Sequence, residues 1–280
     1  MITTSEPDQR VMRFFPVATD GPTRRLTAEQ RNHYNQRGYI TRLPIFTPTQ
    51  ATKNRLGFDQ LLTQFRAAGH DSYAINGFHT SCENIYDIAT NPLILDCVQD
   101  LLGENIVTWG THFFCKMPGD GKAVSWHQDA PYWPLSPTRT VTAWVAIDDA
   151  NEGNAAMRVI PGSHLHGPLP TRPSRAEENN VLWTSLDQVE QIAAPVSMNL
   201  QAGEVSLHSD LLIHGSLANP GPQRRCGLTI RYATVDVRSS KDWNTNAILC
   251  RGRDPDGYWK HHQRPIGNTP LSNHRTIGAN

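Results

Sequence analysis

At 280 residues the chain can hold one large domain or two small ones. Its 26 Lys and Arg balance 26 Asp and Glu, which excludes a general electrostatic draw toward nucleic acid or anionic membrane and leaves any charged partner to a local pocket. No apolar run approaches the roughly 20 residues that span a bilayer, Met1 to Pro16 lacks a signal-peptide core, and five Cys without a Cys-x-x-Cys pair read as reduced thiols, so a soluble cytoplasmic protein is expected.

In chain order, residues 1–25 are polar and expected to be flexible. Thr27 with Gln30 spells a capping box and Gly38 a stop, predicting a helix over 27–37. Thr47-Pro48 opens a second helix running to Ala68 before Gly69, with Leu56, Leu61, Leu62 and Phe65 as its apolar stripe. A third is expected over 91–102, with Pro92 near its start and Gly103 after it. From Ile106 the period changes. Short β-branched and aromatic runs at 106–116, 139–148, 156–160, 195–200, 204–208 and 226–237 alternate with Gly, Pro and Asn turns. Helices followed by many short strands predict a mainly β fold, a double-stranded β-helix (jelly roll, cupin-like) with helical support on one side. The Pro-, Glu- and Asn-rich stretch that starts at 167 reads as an insertion over 167–194, in the position of a lid.

The chemistry-bearing pattern is His127-Gln128-Asp129, answered 87 residues later by His214. On a strand, side chains two apart share a face, so an imidazole and a carboxylate can reach one ion together, and an imidazole from a distant strand completes the set. Two His and one carboxylate on one side of an ion are the facial arrangement of non-haem Fe(II) sites, which leaves three positions for a bidentate co-substrate and O2. In a chain with 12 His, such a pair is also what a hydrogen-bonded core histidine looks like, and His208-Ser209-Asp210 repeats the form just before His214. Three ligands from one short segment would need a sharp bend to reach facial geometry. That favours His127, Asp129 and His214, with His208 as a neighbour.

Lys116-Met117-Pro118, Trp126-His127-Gln128-Asp129, the run from Thr142 to Asp149, the run from Met157 to His164, and His214-Gly215-Ser216 followed by Arg225 are similar, in this order and spacing, to the phytanoyl-CoA dioxygenase superfamily of Fe(II)/2-oxoglutarate oxygenases. With the start at Leu26-Thr27 the resemblance covers residues 26–237, which implies one catalytic domain there and an extension, 238–280, packed on it. It implies His127, Asp129 and His214 as iron ligands. Arg225 stands eleven residues after the distal His, where the family places the arginine that grips the far carboxylate of 2-oxoglutarate, and a guanidinium fork suits a carboxylate. Ser216 shares the strand face of His214 and can donate to the same carboxylate; Lys116, Trp133 and Trp144 are further co-substrate candidates, Trp144 reading equally well as core. Arg224 should face solvent, since neighbours on a strand point opposite ways. Chlorinating members carry Gly or Ala where Asp129 stands, so the resemblance implies a hydroxylase.

Substrate candidates are Tyr73, Asn76, Phe78 and His79 before the third helix, Tyr132 and Trp133 beside the metal pair, and Arg158 and Arg231 on inner strands. Arginines with aromatics suit a small zwitterion, the aromatics facing its cationic amine, while ion pairs inside the fold are the plain alternative for both arginines. The Trp126–Trp133 run resembles a bacterial branch holding chlorinating enzymes and aminoalkylphosphonate hydroxylases, implying an aminoalkylphosphonate or amino acid as substrate. A hydrophobic natural product or acyl group is the other reading within the same chemistry. From another class, a non-catalytic metal-binding jelly roll would not need Arg225 with Ser216. The expected partner is a small molecule, with no nucleic acid or membrane, for a monomer or homodimer.

Overall fold

The computed structural model describes residues 10–268. Helix α1 (Ala28–Arg37) is entered through Thr27, whose hydroxyl accepts from the Gln30 amide while the Gln30 side chain accepts from the Thr27 amide, and it ends on left-handed Gly38. Helix α2 (Pro48–Ala67) repeats the device with Thr47 and Gln50. Its buried stripe includes Phe58, Leu61, Leu62 and Phe65, an i, i+3, i+4, i+7 series, and Leu56 falls off that phase and is 58% exposed, against expectation. Helix α3 (Glu83–Ala89) has no counterpart in the sequence reading: it is seven residues long and its cap, Cys82, makes no side-chain hydrogen bond. Helix α4 (Pro92–Leu102) starts on Asn91, whose carboxamide accepts from Leu93 and Ile94.

The strands, in chain order, are β1 (Tyr39–Pro44), β2 (Ile106–Lys116), β3 (Val124–His127), β4 (Leu135–Ser136), β5 (Thr140–Ala146), β6 (Arg158–Val159) and β7 (Arg172–Pro173). There follow β8 (Thr184–Ser185), β9 (Val196–Ser197), β10 (Glu204–Ser209), β11 (His214–Ser216), β12 (Arg225–Thr234), β13 (Arg238–Ser239) and β14 (Ile248–Arg251). One antiparallel sheet has the order β1-β10-β5-β12-β2-β14, the other β3-β11-β6-β9, which is the two-sheet jelly roll. Alternation along β5 divides its side chains between two environments. Val141, Ala143 and Val145 pack with Phe58, Phe65, Ile85 and Val98 of the helices, whereas Trp144 and Ala146 pack with Val159 and Met198 between the sheets. Helices therefore cover one face of the large sheet, and the site lies on the other.

Residues 10–25, expected to be flexible, run without regular structure but are tied down. Val17 and Asn35 exchange two hydrogen bonds of 2.8 Å, and the Asp100 carboxylate accepts from the amides of Arg24, Arg25 and Leu26. The extension expected at 238–280 does more than pack on the domain as far as it is described: β14 pairs with β2 as the sixth strand of the large sheet. The 167–194 insertion forms the β7–β8 hairpin, whose Thr184 carbonyl and Asn180 carboxamide accept from Ser125 on β3. Among the described residues, no helix is long and apolar enough to cross a membrane.

Candidate active site

His214 opens β11 directly opposite His127 at the end of β3, and their rings lie 4.1 Å apart. The approach is close because residue 215 is glycine: a Cβ there would stand 2.8 Å from the Val124 carbonyl oxygen. Asp129 is not on the strand, as the His-x-Asp spacing suggested; β3 stops at His127, and Asp129 sits at φ −73°, ψ −41° at the head of a 3-10 turn. The turn still delivers its Oδ1 to 3.7 Å from His127 Nε2. Ligand atoms of His127, Asp129 and His214 all lie within 4.8 Å of one another. His127 Nδ1 donates to the Ser125 carbonyl at 2.8 Å and His214 Nδ1 to the Leu212 carbonyl at 3.0 Å, which orients both rings with Nε2 toward the carboxylate. The donor set of two imidazoles and one carboxylate fits a facially bound Fe(II).

Gln128, between two of these residues, escaped notice in the sequence. Pointing away from the cluster, its amide donates to the Gly167 and Leu211 carbonyls and accepts from Leu169, binding the turn to the insertion and to the loop before His214. Burial by itself would raise the Asp129 pKa, but the hydrogen bond with His127 and the charge of Arg231 hold it well below the usual carboxylate range. Burial drives the His214 pKa far down, His127 adding to it, so this imidazole is neutral and ready to bind a metal.

The three residues line a narrow cavity of about 40 Å³ with Phe114, Val124, Trp144, Met157, His208, Gly215, Ser216, Arg225, Thr229 and Arg231. Arg225, at the start of β12, is buried there: Nη2 donates to Ser216 Oγ at 3.2 Å, Nε to the Ala155 carbonyl, and the guanidinium lies 5.8 Å from the Trp144 ring. Trp144 can lie flat at this point because Gly227 is beneath it, where a Cβ would stand 2.0 Å from the indole. Lys116 is paired with Arg225 in register and fully buried, its ammonium donating to the Lys122 carbonyl; burial and Arg225 pull its pKa down to about 7.

Several expectations are corrected. Arg224 is not solvated: it donates to Asp148 at 2.7 and 2.9 Å and to Asp59 at 2.6 Å on the helix side of the sheet. His208 is more than a neighbour, for it lines the cavity with Nε2 4.0 Å from Asp129 Oδ2, and neither ring nitrogen has a hydrogen bond. Tyr73, Asn76 and His79 do not line the cavity, because their segment runs along the edge of β2, with Phe113 and Gly77 amides hydrogen-bonded across the seam. Tyr73 donates to Asp120, Asn76 bridges to His112, His79 is sealed between the Asn246 carbonyl and Thr111, and Phe78 is core. Tyr132 is one shell out, its ring edge-on to His127 and its hydroxyl bonded to Thr184 of the insertion. Trp133 lies behind Arg231, 5.3 Å from its guanidinium, and away from Arg225. Arg158 is in an adjoining groove, stacked 5.3 Å over Trp126 with Glu178 and Ser185 nearby.

A model of the family described as phytanoyl-CoA dioxygenase (PhyH) matches residues 34–227. Peroxisomal phytanoyl-CoA dioxygenase of Bos taurus is 29% identical over 173 residues, 58% of this chain and 51% of its own length, so the chain spans about half of that relative. A probable alpha-ketoglutarate-dependent hypophosphite dioxygenase of Stutzerimonas stutzeri is 29% identical over 230 residues, 76% of this chain and 80% of that protein. Among solved structures, apo ThoJ, a non-heme monooxygenase, is 29% identical with a TM-score of 0.73, covering 85% of this chain and 88% of that one. With two imidazoles and a carboxylate that could hold a metal ion converging beside a buried arginine, and with the family match spanning most of the described domain, the chain belongs to the phytanoyl-CoA dioxygenase family.

Proposed function

We propose that the chain is an Fe(II)/2-oxoglutarate-dependent hydroxylase acting on an unactivated C–H of a small polar molecule, of the aminoalkylphosphonate or amino-acid type. The observation that carries this reading is that one cavity holds both a facial donor set and a buried Arg225–Ser216 pair to one side of it. Iron, 2-oxoglutarate and O2 together supply the oxidant that removes the hydrogen and returns a hydroxyl. The chain's own part is placement. His127, Asp129 and His214 hold the metal on one side, with the Nδ1–H bonds preventing the imidazoles from turning away. Arg225 grips the far carboxylate of 2-oxoglutarate, and the Ser216 hydroxyl, which accepts from Arg225, has its own proton free to donate to that carboxylate. Phe114, Met157 and Trp144 wall off water around the reacting centre. Asp129 fills the position a halide would need, so hydroxylation is expected even in high chloride. The name of the hypophosphite dioxygenase relative supports a small substrate.

The test is anaerobic addition of Fe(II) and 2-oxoglutarate, with the metal-to-ligand charge-transfer band as the readout, followed by succinate release and product mass in air over a panel of candidate substrates. A band and substrate-dependent succinate are expected. Metal binding without the band would turn the reading toward a non-catalytic metal protein.

A further inference from the structure

Three adjacent strands of the large sheet present Arg231 (β12), Thr142 (β5) and His208 (β10) at one register: Arg231 faces Thr142 and Thr142 faces His208. Cross-strand partners lie on the same face. Here it is the face between the sheets, since Arg231 and His208 both line the metal cavity and Thr142 stands two residues from Trp144, which also does. All three are left without hydrogen bonds at buried atoms: Nε of Arg231, Oγ1 of Thr142 and both ring nitrogens of His208. Buried polar groups are nearly always paired, so a row of three that are not is a vacancy for a partner. Arg231 is the most telling. Its guanidinium lies 5.5 Å over Trp109 and 5.3 Å over Trp133, and among the described residues none accepts a hydrogen bond from it. Two indole faces attract the charge but satisfy no N–H.

The sign of the vacancy follows from the inventory. A guanidinium only donates, a hydroxyl can donate, an imidazole donates from one nitrogen, and Nε1 of Trp109 beside Arg231 is a further buried donor without a partner. Asp129, the one carboxylate lining the cavity among the described residues, is shared between Arg231 and the metal set, so the guanidinium N–H groups keep room for a further anion. We infer that the Arg231–Thr142–His208 row is the receptor for an anionic group of the substrate, a carboxylate or a phosphonate, held on the opposite side of the metal ligands from Arg225. Arg158, stacked on Trp126 in the outer groove, is not that receptor. The inference rests on the Fe(II)/2-oxoglutarate reading of the same cavity and narrows its substrate class to anions and zwitterions.

The probes are three molecules on one aminoethyl skeleton: 2-aminoethylphosphonate, β-alanine and neutral-headed ethanolamine, titrated anaerobically into the Fe(II)/2-oxoglutarate holoenzyme with the charge-transfer band as the readout. At least one of the two anions is expected to perturb the band at millimolar concentration or below, at least tenfold more tightly than ethanolamine. Arg231→Met should weaken that anion roughly tenfold to a hundredfold, as expected for loss of a charge-assisted contact. Arg231→Lys should fall between, keeping the charge and losing the fork, and Thr142→Val should show a smaller loss in the same direction. Arg158→Met should match wild type. Unchanged co-substrate bands and melting temperatures in the variants exclude a folding defect, with Arg231→Lys as the conservative check. Equal binding of ethanolamine and the anions, no perturbation by any of the three, or an Arg231→Met titration that overlays wild type would overturn the inference. Failure of the band to form in wild type would overturn the reading of the site instead.

Discussion

At the residue scale, each group's role separates from its neighbour's by where its bonds go. His127→Ala, Asp129→Ala and His214→Ala are each expected to lose Fe(II) binding, measured by equilibrium dialysis, whereas His208→Ala should retain it, because His208 contributes no atom to the converging donor set. Retention by His127→Ala together with loss in His208→Ala would reassign the ligands. Arg225→Gln should raise the 2-oxoglutarate requirement by roughly one to two orders of magnitude while Fe(II) still binds, since a charged fork becomes a neutral amide. Arg224→Gln should do neither, but it should cost stability. It leaves Asp148 buried with only Arg55 at 3.0 Å, and a loss of about 3 kcal/mol in chemical denaturation is expected, the low end for a broken buried pair. Asp210 supplies a pH prediction. Burial raises its pKa from 3.8 to about 8, so the folded apoprotein holds that proton where the unfolded chain has released it. A pKa raised on folding contributes stability below the unfolded value that is lost as pH rises through the folded one, so the window is about pH 4 to 8. Asp210→Asn, neutral throughout, should therefore gain in melting temperature relative to wild type as pH climbs through that window, and a constant difference would refute the assignment.

At the scale of elements, what was legible in the sequence is what has a local signature. The capping box at Thr27, the Thr47-Pro48 start and the run 106–116 are spelled by side chains acting within a few residues, and these elements fall where expected. β6, β9 and β11 are two or three residues long and exist only because partners across the small sheet complete them, so their ends could not be read locally. The same limit explains the candidate site. His127, Asp129, His214 and Arg225 come with motif spacing, but His208 reaches the cavity, and Thr142 stands beside it, through cross-strand register, which no stretch of sequence states. Tyr73 and His79 were drawn toward the site by residue type alone, and the edge pairing of their segment took them elsewhere. Two glycines test the element geometry. Gly215→Ala should force β11 off β3 and weaken metal binding, whereas Gly227→Ala should displace Trp144 and weaken 2-oxoglutarate binding with metal affinity kept. Equal effects of both on the metal would show that the two sheets do not act separately.

At the scale of the whole molecule, residues 238–268 belong to the same fold as the candidate site. Trp243 stacks on Trp109 at 5.2 Å, Trp259 is buried in the same cluster, and β14 closes the edge of β2. Cutting the chain after residue 237 should expose that edge and loosen the aromatic bed under Arg231, seen as aggregation or a much lowered melting temperature; a truncated chain as stable as the whole would contradict it. The distribution of the site over the two sheets has a further consequence. The metal donors come from the small sheet and its adjoining turn, while Arg225, Thr142, His208 and Arg231 are all rooted in the large one, with Arg225 and Arg231 on a single strand roughly 20 Å apart along its length. On the proposed reading the molecule is in effect a vice: the small-sheet jaw would hold the metal, and the large-sheet jaw would hold the co-substrate at one end and the workpiece at the other. Which carbon meets the iron is then set by the gap and offset between the jaws, so substitutions at the seam can move the point of attack along a substrate without altering how tightly either jaw holds its load.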